Sequence, residues 1–178
     1  MRRSPTTTVP SSPAEGDAPN PVRIRRAEPA DLAEIVALDA AITGIAKAPY
    51  WRDVFERYGE RRQDERFFLV AEAAGGRLGN GIVGFIIGEI RAWEFGSEPC
   101  GWVFAFSVRP EARLKGIGRR LFAALSAAFR RAGARTMRTM VARDNTLHMM
   151  FFRSEGMMAG RYLQLEKALD EDAAGAAS

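Results

Sequence analysis

The chain has 178 residues, 47% of them hydrophobic, enough for one domain with a sizeable core and too few for two ordinary domains. No apolar run approaches the roughly 18 residues of a spanning helix, and the Met1-Arg2-Arg3-Ser4 start lacks the apolar stretch of a secretion signal, so a soluble, cytoplasmic protein without a membrane partner is expected. A single cysteine, Cys100, and a single histidine, His148, exclude an intrachain disulfide and a Cys/His metal cluster, while the net charge of +4 is spread through mixed segments, which argues against a nucleic-acid partner.

Residues 1–21 are rich in Pro, Ser, Thr and Ala with almost no apolar bulk, and are expected to be a disordered tail. Val22, Ile24 and Arg26 alternate with their neighbours as a short strand does, and Glu28-Pro29-Ala30-Asp31 signals a helix start. The helix carries Leu32, Ile35, Val36, Leu38 and Ile42 at near-helical spacing and ends at Thr43-Gly44. Pro49 opens a second helix with Trp51, Val54, Phe55 and Tyr58, stopped at Gly59. Phe67 to Ala71 and Ile82 to Ile90 read as an antiparallel hairpin joined through Gly75-Gly76 and Gly79-Asn80-Gly81, and Trp102 to Val108 is the next strand.

A helix follows from about Gly116 to Ala132, with Ile117, Leu121, Leu125 and Phe129 on one stripe and Gly133 as its stop. Thr136 to Val141 is a strand, parallel to the Trp102 strand if the helix between them is a right-handed crossover. Asp144-Asn145 caps a last helix running through Glu155 to Gly156, and Tyr162 to Leu165 is expected to close the sheet. The result is an α/β fold, a mixed central sheet with flanking helices. Its domain spans residues 22–169, with an acidic, then small-residue, tail over 170–178.

One segment carries chemistry. Arg113-Leu114-Lys115-Gly116-Ile117-Gly118-Arg119-Arg120 joins the Trp102 strand to the helix. The first amides of a helix have no intrahelical acceptor, and glycines let a ligand approach them without meeting a Cβ, so an anion such as a phosphate fits there. With Val108-Arg109-Pro110 before it and Asn145 to Gly156 after it, the pattern is R-x-x-G-x-G plus N-x(10)-G. This resembles the GNAT N-acetyltransferase superfamily, sharply from about Trp102 to Met157, and in element order alone from Val22 to Arg91.

The resemblance implies an acyl-CoA N-acyltransferase fold with acetyl-CoA as co-substrate. It implies main-chain pairing of the pantetheine arm with the edge Phe106-Ser107-Val108, and phosphate contacts from Leu114, Lys115, Gly116, Ile117, Gly118 and Arg119 together with the Arg113 side chain. Asn145 matches an asparagine that contacts the pantetheine arm, and is equally a helix N-cap. Where the family usually carries a tyrosine that protonates the departing thiolate, this chain has Phe152. His148, one helical turn away, is the replacement proton donor considered.

Trp102 occupies one common location of the family's basic glutamate, which leaves Glu89 and Glu98 as the nearest carboxylates along the chain. Cys100, a formal nucleophile, has no paired base visible, so the amine is expected to attack the thioester directly. Lys47-Ala48-Pro49-Tyr50-Trp51 and Trp93-Glu94-Phe95-Gly96-Ser97-Glu98 hold aromatics edged by acids, which suit a cationic amine such as a lysine side chain, an N-terminus or a polyamine; core packing is the alternative for these aromatics. The acceptor expected is a protein lysine or N-terminal amine. A small-molecule amine and a non-catalytic acyl-CoA sensor are the alternatives, and a homodimer is compatible with all three.

Overall fold

The computed structural model describes residues 22–92, 96–167 and 169. The two expected tails lie outside the described residues, as do Trp93, Glu94 and Phe95 of the expected acceptor loop. The elements in chain order are β1 (Val22–Arg26), α1 (Leu32–Thr43), α2 (Ala48–Phe55), β2 (Arg66–Ala74), β3 (Asn80–Arg91), β4 (Cys100–Val108), α3 (Ile117–Arg131), β5 (Met137–Thr139) and α4 (Thr146–Ser154). They form two compact units that divide between Met140 and Val141. The first holds everything up to β5, and the second holds α4. No helix among the described residues is long and apolar enough to cross a membrane.

The sheet of the first unit runs β1-β2-β3-β4-β5. The first three pairings are antiparallel, and β4 pairs β5 in parallel across the α3 crossover. β1 and α1 form where the alternation and the helical spacing put them, and Gly44 ends α1 in the left-handed conformation that glycine adopts without a Cβ penalty. α2 continues past Phe55 into a wider turn, Glu56–Glu60, which carries Tyr58. Two expectations are corrected. β5 is three residues long rather than spanning Thr136 to Val141, and Tyr162 to Leu165 is irregular, with Leu163 and Leu165 exposed. Alternation describes a strand only where a neighbouring edge accepts its hydrogen bonds, and here that segment has no ladder.

The two faces of the sheet are filled differently. On one, Ile35 and Leu38 of α1 and Trp51, Val54 and Phe55 of α2 bury Phe68, Val70, Phe85 and Ile87. On the other, glycines make room for α3: a Cβ at Gly101 would stand 2.1 Å from Phe129 Cδ2, and one at Gly88 would stand 2.5 Å from Phe129 Cζ. The close approach of α3 to β3 and β4 therefore depends on the missing side chains.

One ion network joins β1, β2 and the start of α1. Arg25 donates to both Asp31 oxygens, at 2.6 and 2.8 Å, and through Nε to Glu72 Oε2 at 2.9 Å. Asp31 Oδ2 also accepts from the Glu28 amide at 2.7 Å. Burial pushes the Asp31 carboxyl up, but the hydrogen bonds from Arg25 and Glu28 and the Arg25 charge outweigh it and hold the group below its ordinary 3.8. A depressed carboxylate contributes stability that is complete above the unfolded value and is lost as pH falls through the folded one. Asp31→Ala is therefore expected to cost about 2 kcal/mol near neutral pH, because Arg25 keeps Glu72 but loses its bidentate partner and the Glu28 amide loses its acceptor. It is also expected to flatten the fall in stability below pH 3.8, and urea unfolding at about pH 7 and about pH 3 measures both effects.

Candidate active site

β4 does not run evenly against β3. Ile87 pairs Ala105 and Gly88 pairs Val103, which leaves Phe104 as an extra residue in β4. Such a bulge bends its strand and increases the local twist. On the other edge, β4 meets β5 only at Gly101↔Met137, Trp102↔Arg138 and Val103↔Thr139, with Thr139 Oγ1 donating to Val103 O at 3.0 Å. Phe106, Ser107 and Val108 pair Ile86, Phe85 and Gly84 of β3, and lie beyond the last β5 pair. One side of their main chain is thus held by the sheet, while β5 reaches no further along the other.

The loop after β4 is built to turn sharply. The Arg109 amide donates to Val83 O at 2.8 Å and its guanidinium to Ile82 O at 2.8 Å, and Arg113 Nε reaches back to Val108 O at 3.2 Å. Arg113 is therefore partly committed to the fold. Leu114 and Gly116 both adopt positive φ, 63° and 74°. For the leucine this costs about 1–2 kcal/mol, and its side chain is fully exposed, so no packing explains the strain. Exposed Gly116 has no protein atom within 4 Å of where a Cβ would lie, whereas Ile117 is buried and anchors the helix start. The Arg120 amide donates to Gly116 O at 3.1 Å, so the Gly116, Ile117 and Gly118 amides precede the first intrahelical bond. Lys115 and Arg119 are exposed beside them, and the Arg120 side chain donates to Val22 O as part of the fold.

The residues considered for proton transfer are separated. Glu89 stands one register position beyond the bulge, opposite Trp102, with Oε1 accepting from Arg91 Nε at 3.0 Å and Oε2 3.6 Å from Arg66 Nε. Glu98 is exposed on the loop before β4. The acceptor aromatics divide as well. Trp51 is buried in the core, its indole N–H donating to Asp39 at 2.9 Å, and Lys47 pairs the same carboxylate at 3.0 Å. Half-exposed Tyr50 packs edge-on against Trp51.

Sequence reasoning missed the pair beside the bulge, Tyr58 and Phe104, whose rings stack at 5.2 Å with 5° between planes. Burial, then the Glu89 charge, raises the Tyr58 hydroxyl above its ordinary value, so it is a proton donor rather than a base at neutral pH. No local signal marks Phe104, because a bulge inside a continuous apolar run leaves the composition unchanged.

In the second unit, Asn145 caps α4. Its Oδ1 accepts from the His148 amide at 3.1 Å, which fixes the orientation of its own amide, and Nδ2 then faces His148 Nδ1 at 2.8 Å. An NH₂ group can only donate, so Nδ1 is the acceptor and the neutral imidazole carries its proton on Nε2. Phe152 is buried, 6.3 Å from the His148 ring centre to centre.

A mixed sheet whose two parallel strands part beside a glycine-bearing helix start defines the acyl-CoA N-acyltransferase architecture. The chain belongs to the acetyltransferase (GNAT) family, which its residues 32–157 match. It is accordingly an acetyl-CoA-dependent N-acetyltransferase, with acetyl-CoA as co-substrate. No curated protein matches the chain significantly. Among solved structures it is similar to the aminoglycoside N-acetyltransferase AAC(6')-Iy in complex with CoA (18% identity, 86% of this chain and 99% of that one, TM-score 0.72). It is similar also to an aminoglycoside 6'-N-acetyltransferase from Acinetobacter baumannii (16%, 84% and 100%, TM-score 0.68). A third likeness is to glucosamine-6-phosphate N-acetyltransferase from Arabidopsis thaliana (18%, 84% and 99%, TM-score 0.64). At these identities the likeness is one of fold.

Cys100 is 1% exposed, which leaves no path for a substrate carbonyl to reach its sulfur. A disulfide reagent such as Ellman's reagent is expected to titrate no thiol in the folded protein and one thiol in denaturant. Rapid titration of the native protein would contradict the buried placement.

Proposed function

We propose that the parting of β4 and β5 holds the pantetheine arm and that the 114–119 loop holds the pyrophosphate. The observation that carries this reading is the bulge at Phe104 together with a β4–β5 pairing that, among the described residues, ends at Val103↔Thr139, before Phe106 to Val108. The residues fit the group. A peptide-like arm pairs with strand main chain, and a diphosphate is met by helix-start amides, the open side of Gly116, and the charges of Lys115, Arg119 and the part of Arg113 not bound to Val108. The chemistry the co-substrate supplies is an activated thioester carbonyl.

The chain's own part is to orient and to move protons. A main-chain amide near Val108 stabilises the oxyanion as an amine attacks the carbonyl directly. Glu89, acting through water, takes the proton of the attacking ammonium; Glu98 on its exposed loop is the weaker candidate. With Phe152 where the family usually carries a tyrosine, a thiol of reference pKa near 8.5 leaves with water as donor.

The acceptor is a primary amine. The sequence favoured a protein lysine or N-terminus. The aminoglycoside and glucosamine-6-phosphate acetyltransferases of the same fold favour a second reading, a small-molecule amine. Amine-dependent release of CoA thiol from acetyl-CoA, followed with peptides and small amines side by side, tests both readings; thiol release with no amine class would refute them.

Two substitutions test the site. Gly116→Val is expected to weaken acetyl-CoA binding by at least about tenfold, or 1.4 kcal/mol, because its Cβ enters the space reserved for the phosphates. Calorimetric titration reads this, and unchanged affinity in a folded variant would refute the phosphate assignment. Phe152→Tyr is expected to retain or raise the turnover rate by restoring a hydroxyl. A fall beyond about tenfold would show that the buried phenyl ring itself is what the position requires.

A further inference from the structure

The turn Glu56–Glu60 that extends α2 is wound more widely than an α-helix, and turns of that kind recur at functional sites. It is held tightly. A Cβ at Gly59 would stand 2.7 Å from Phe55 Cε2, so the turn folds back on a side chain that is itself buried in the core. Tyr58, one residue earlier, packs against the core under α1 and α2. Its ring lies parallel to that of Phe104, 5.2 Å between centres, with the Arg66 guanidinium 5.4 Å from its own centre. Two irregular stretches of backbone therefore meet here: a widened turn carries Tyr58 and a strand bulge carries Phe104.

The ring is fixed, yet its hydroxyl is unused. Among the described residues the half-buried Tyr58 hydroxyl makes no hydrogen bond. Such a group is satisfied by water until a ligand atom replaces it. Tyr50, the other tyrosine of this unit, is packed against Trp51 and Lys47 instead.

Position decides what that ligand atom is. Phe104 follows directly on Val103↔Thr139, the last β4–β5 pair. It precedes Val108 by four residues, about 13 Å of strand at roughly 3.3 Å per residue. An arm bound at the 114–119 loop and paired along Phe106 to Val108 therefore brings its thiol end to the bulge. The hydroxyl is also in the right state to give a proton. Burial, and then the Glu89 charge, keep it protonated against the opposing guanidiniums of Arg66, Arg91 and Arg57.

We infer that the Tyr58 hydroxyl is the proton donor to the sulfur that leaves during acetyl transfer. The inference rests on the acetyl-transfer reading above and gives a side chain the role assigned there to water. As the amine nitrogen bonds to the carbonyl carbon, the C–S bond breaks with its electron pair on sulfur. Tyr58 O–H passes its proton to that sulfur, and the phenolate takes back the proton shed by the new amide nitrogen. The products are the amide and the free thiol, with the tyrosine restored. Because the stack on Phe104 holds the O–H in place beforehand, little reorganisation is needed at the moment of transfer.

The test uses the full-length protein, acetyl-CoA and the fastest of a lysine peptide, glucosamine 6-phosphate and neamine as acceptor. Tyr58→Phe keeps the ring and is expected to lower the single-turnover rate at least about tenfold, while acetyl-CoA affinity by calorimetry stays within about twofold. A smaller loss of rate, or a loss carried only by KM for the acceptor, would overturn the donor role and leave acetyl transfer standing. A second readout needs no turnover. With a ring-fluorinated tyrosine at position 58, the fluorine NMR signal is expected to move when CoA binds and to stay in place when desulfo-CoA binds. The same response to both would overturn the contact with sulfur, even where Tyr58→Phe is slow or fails to fold. A wild-type protein that binds acetyl-CoA but acetylates none of the three amines would refute the transfer reading, and this role of Tyr58 with it.

Discussion

One extra residue in one strand, Phe104, sets the geometry on which the rest of the first unit depends. A bulge turns a strand away from its straight course, and here it follows directly on the last β4–β5 pair, Val103↔Thr139. Without it, β4 and β5 would continue in register, and the main chain of Phe106 to Val108 would be consumed by the ladder. With it, β4 stays fastened to β3 by Ile86↔Phe106 and Gly84↔Val108, while the β5 ladder ends at Val103↔Thr139. The same residue carries the ring that Tyr58 stacks against, so the parting of the strands and the wall beside it have one cause.

The loop beyond β4 follows from that placement. It must turn from a strand edge into α3 within a few residues while presenting amides outward. It does so with two left-handed residues, Leu114 and Gly116, held between Arg113 bonded to Val108 and Ile117 sunk in the core. An exposed leucine in a strained conformation is poor design for stability alone. Its neighbours over-determine it, and the strain is understandable only if amide direction matters more than local ease. α3 is in turn fixed by the glycines it packs against. Gly88 and Gly101 admit Phe129 in its last turn, and Gly84 admits Leu121 nearer its start, so both ends of the helix are held against the sheet.

The legible parts of the sequence were those in which local chemistry and tertiary context agree. Helices α1 and α3 carry apolar stripes and glycine stops, and both end where Gly44 and Gly133 put them. The 113–118 pattern was legible because a left-handed turn before a helix demands particular residue types. The Tyr162 to Leu165 segment alternates as well as β1 does, yet forms no strand, because its fate depends on whether an edge is available, and sequence alternation carries no record of that. Trp51 was open between a ligand-facing and a core position and is core, since a helix stripe and a binding wall have the same composition. The stack of Tyr58 on Phe104 joins a turn to a distant strand, and only their packing in the fold reveals it.

That contrast has a physical origin in how the two substrates are recognised. In the proposed site the co-substrate is held mainly by backbone, through a strand edge and helix-start amides, and backbone recognition constrains sequence only where conformation is special, at Leu114 and Gly116. The family is therefore written in a short motif. In the proposed site the acceptor is met by side chains, each of which can change without disturbing the main chain that holds the thioester. Trp102 and Phe104 show this freedom: bulky aromatics stand beside the bulge while the ladder to β3 and the loop conformation are kept. A scaffold of this kind can alter its acceptor by replacing a few exposed residues. The side chains beside the bulge, rather than the motif that names the family, are therefore where a difference in acceptor is written.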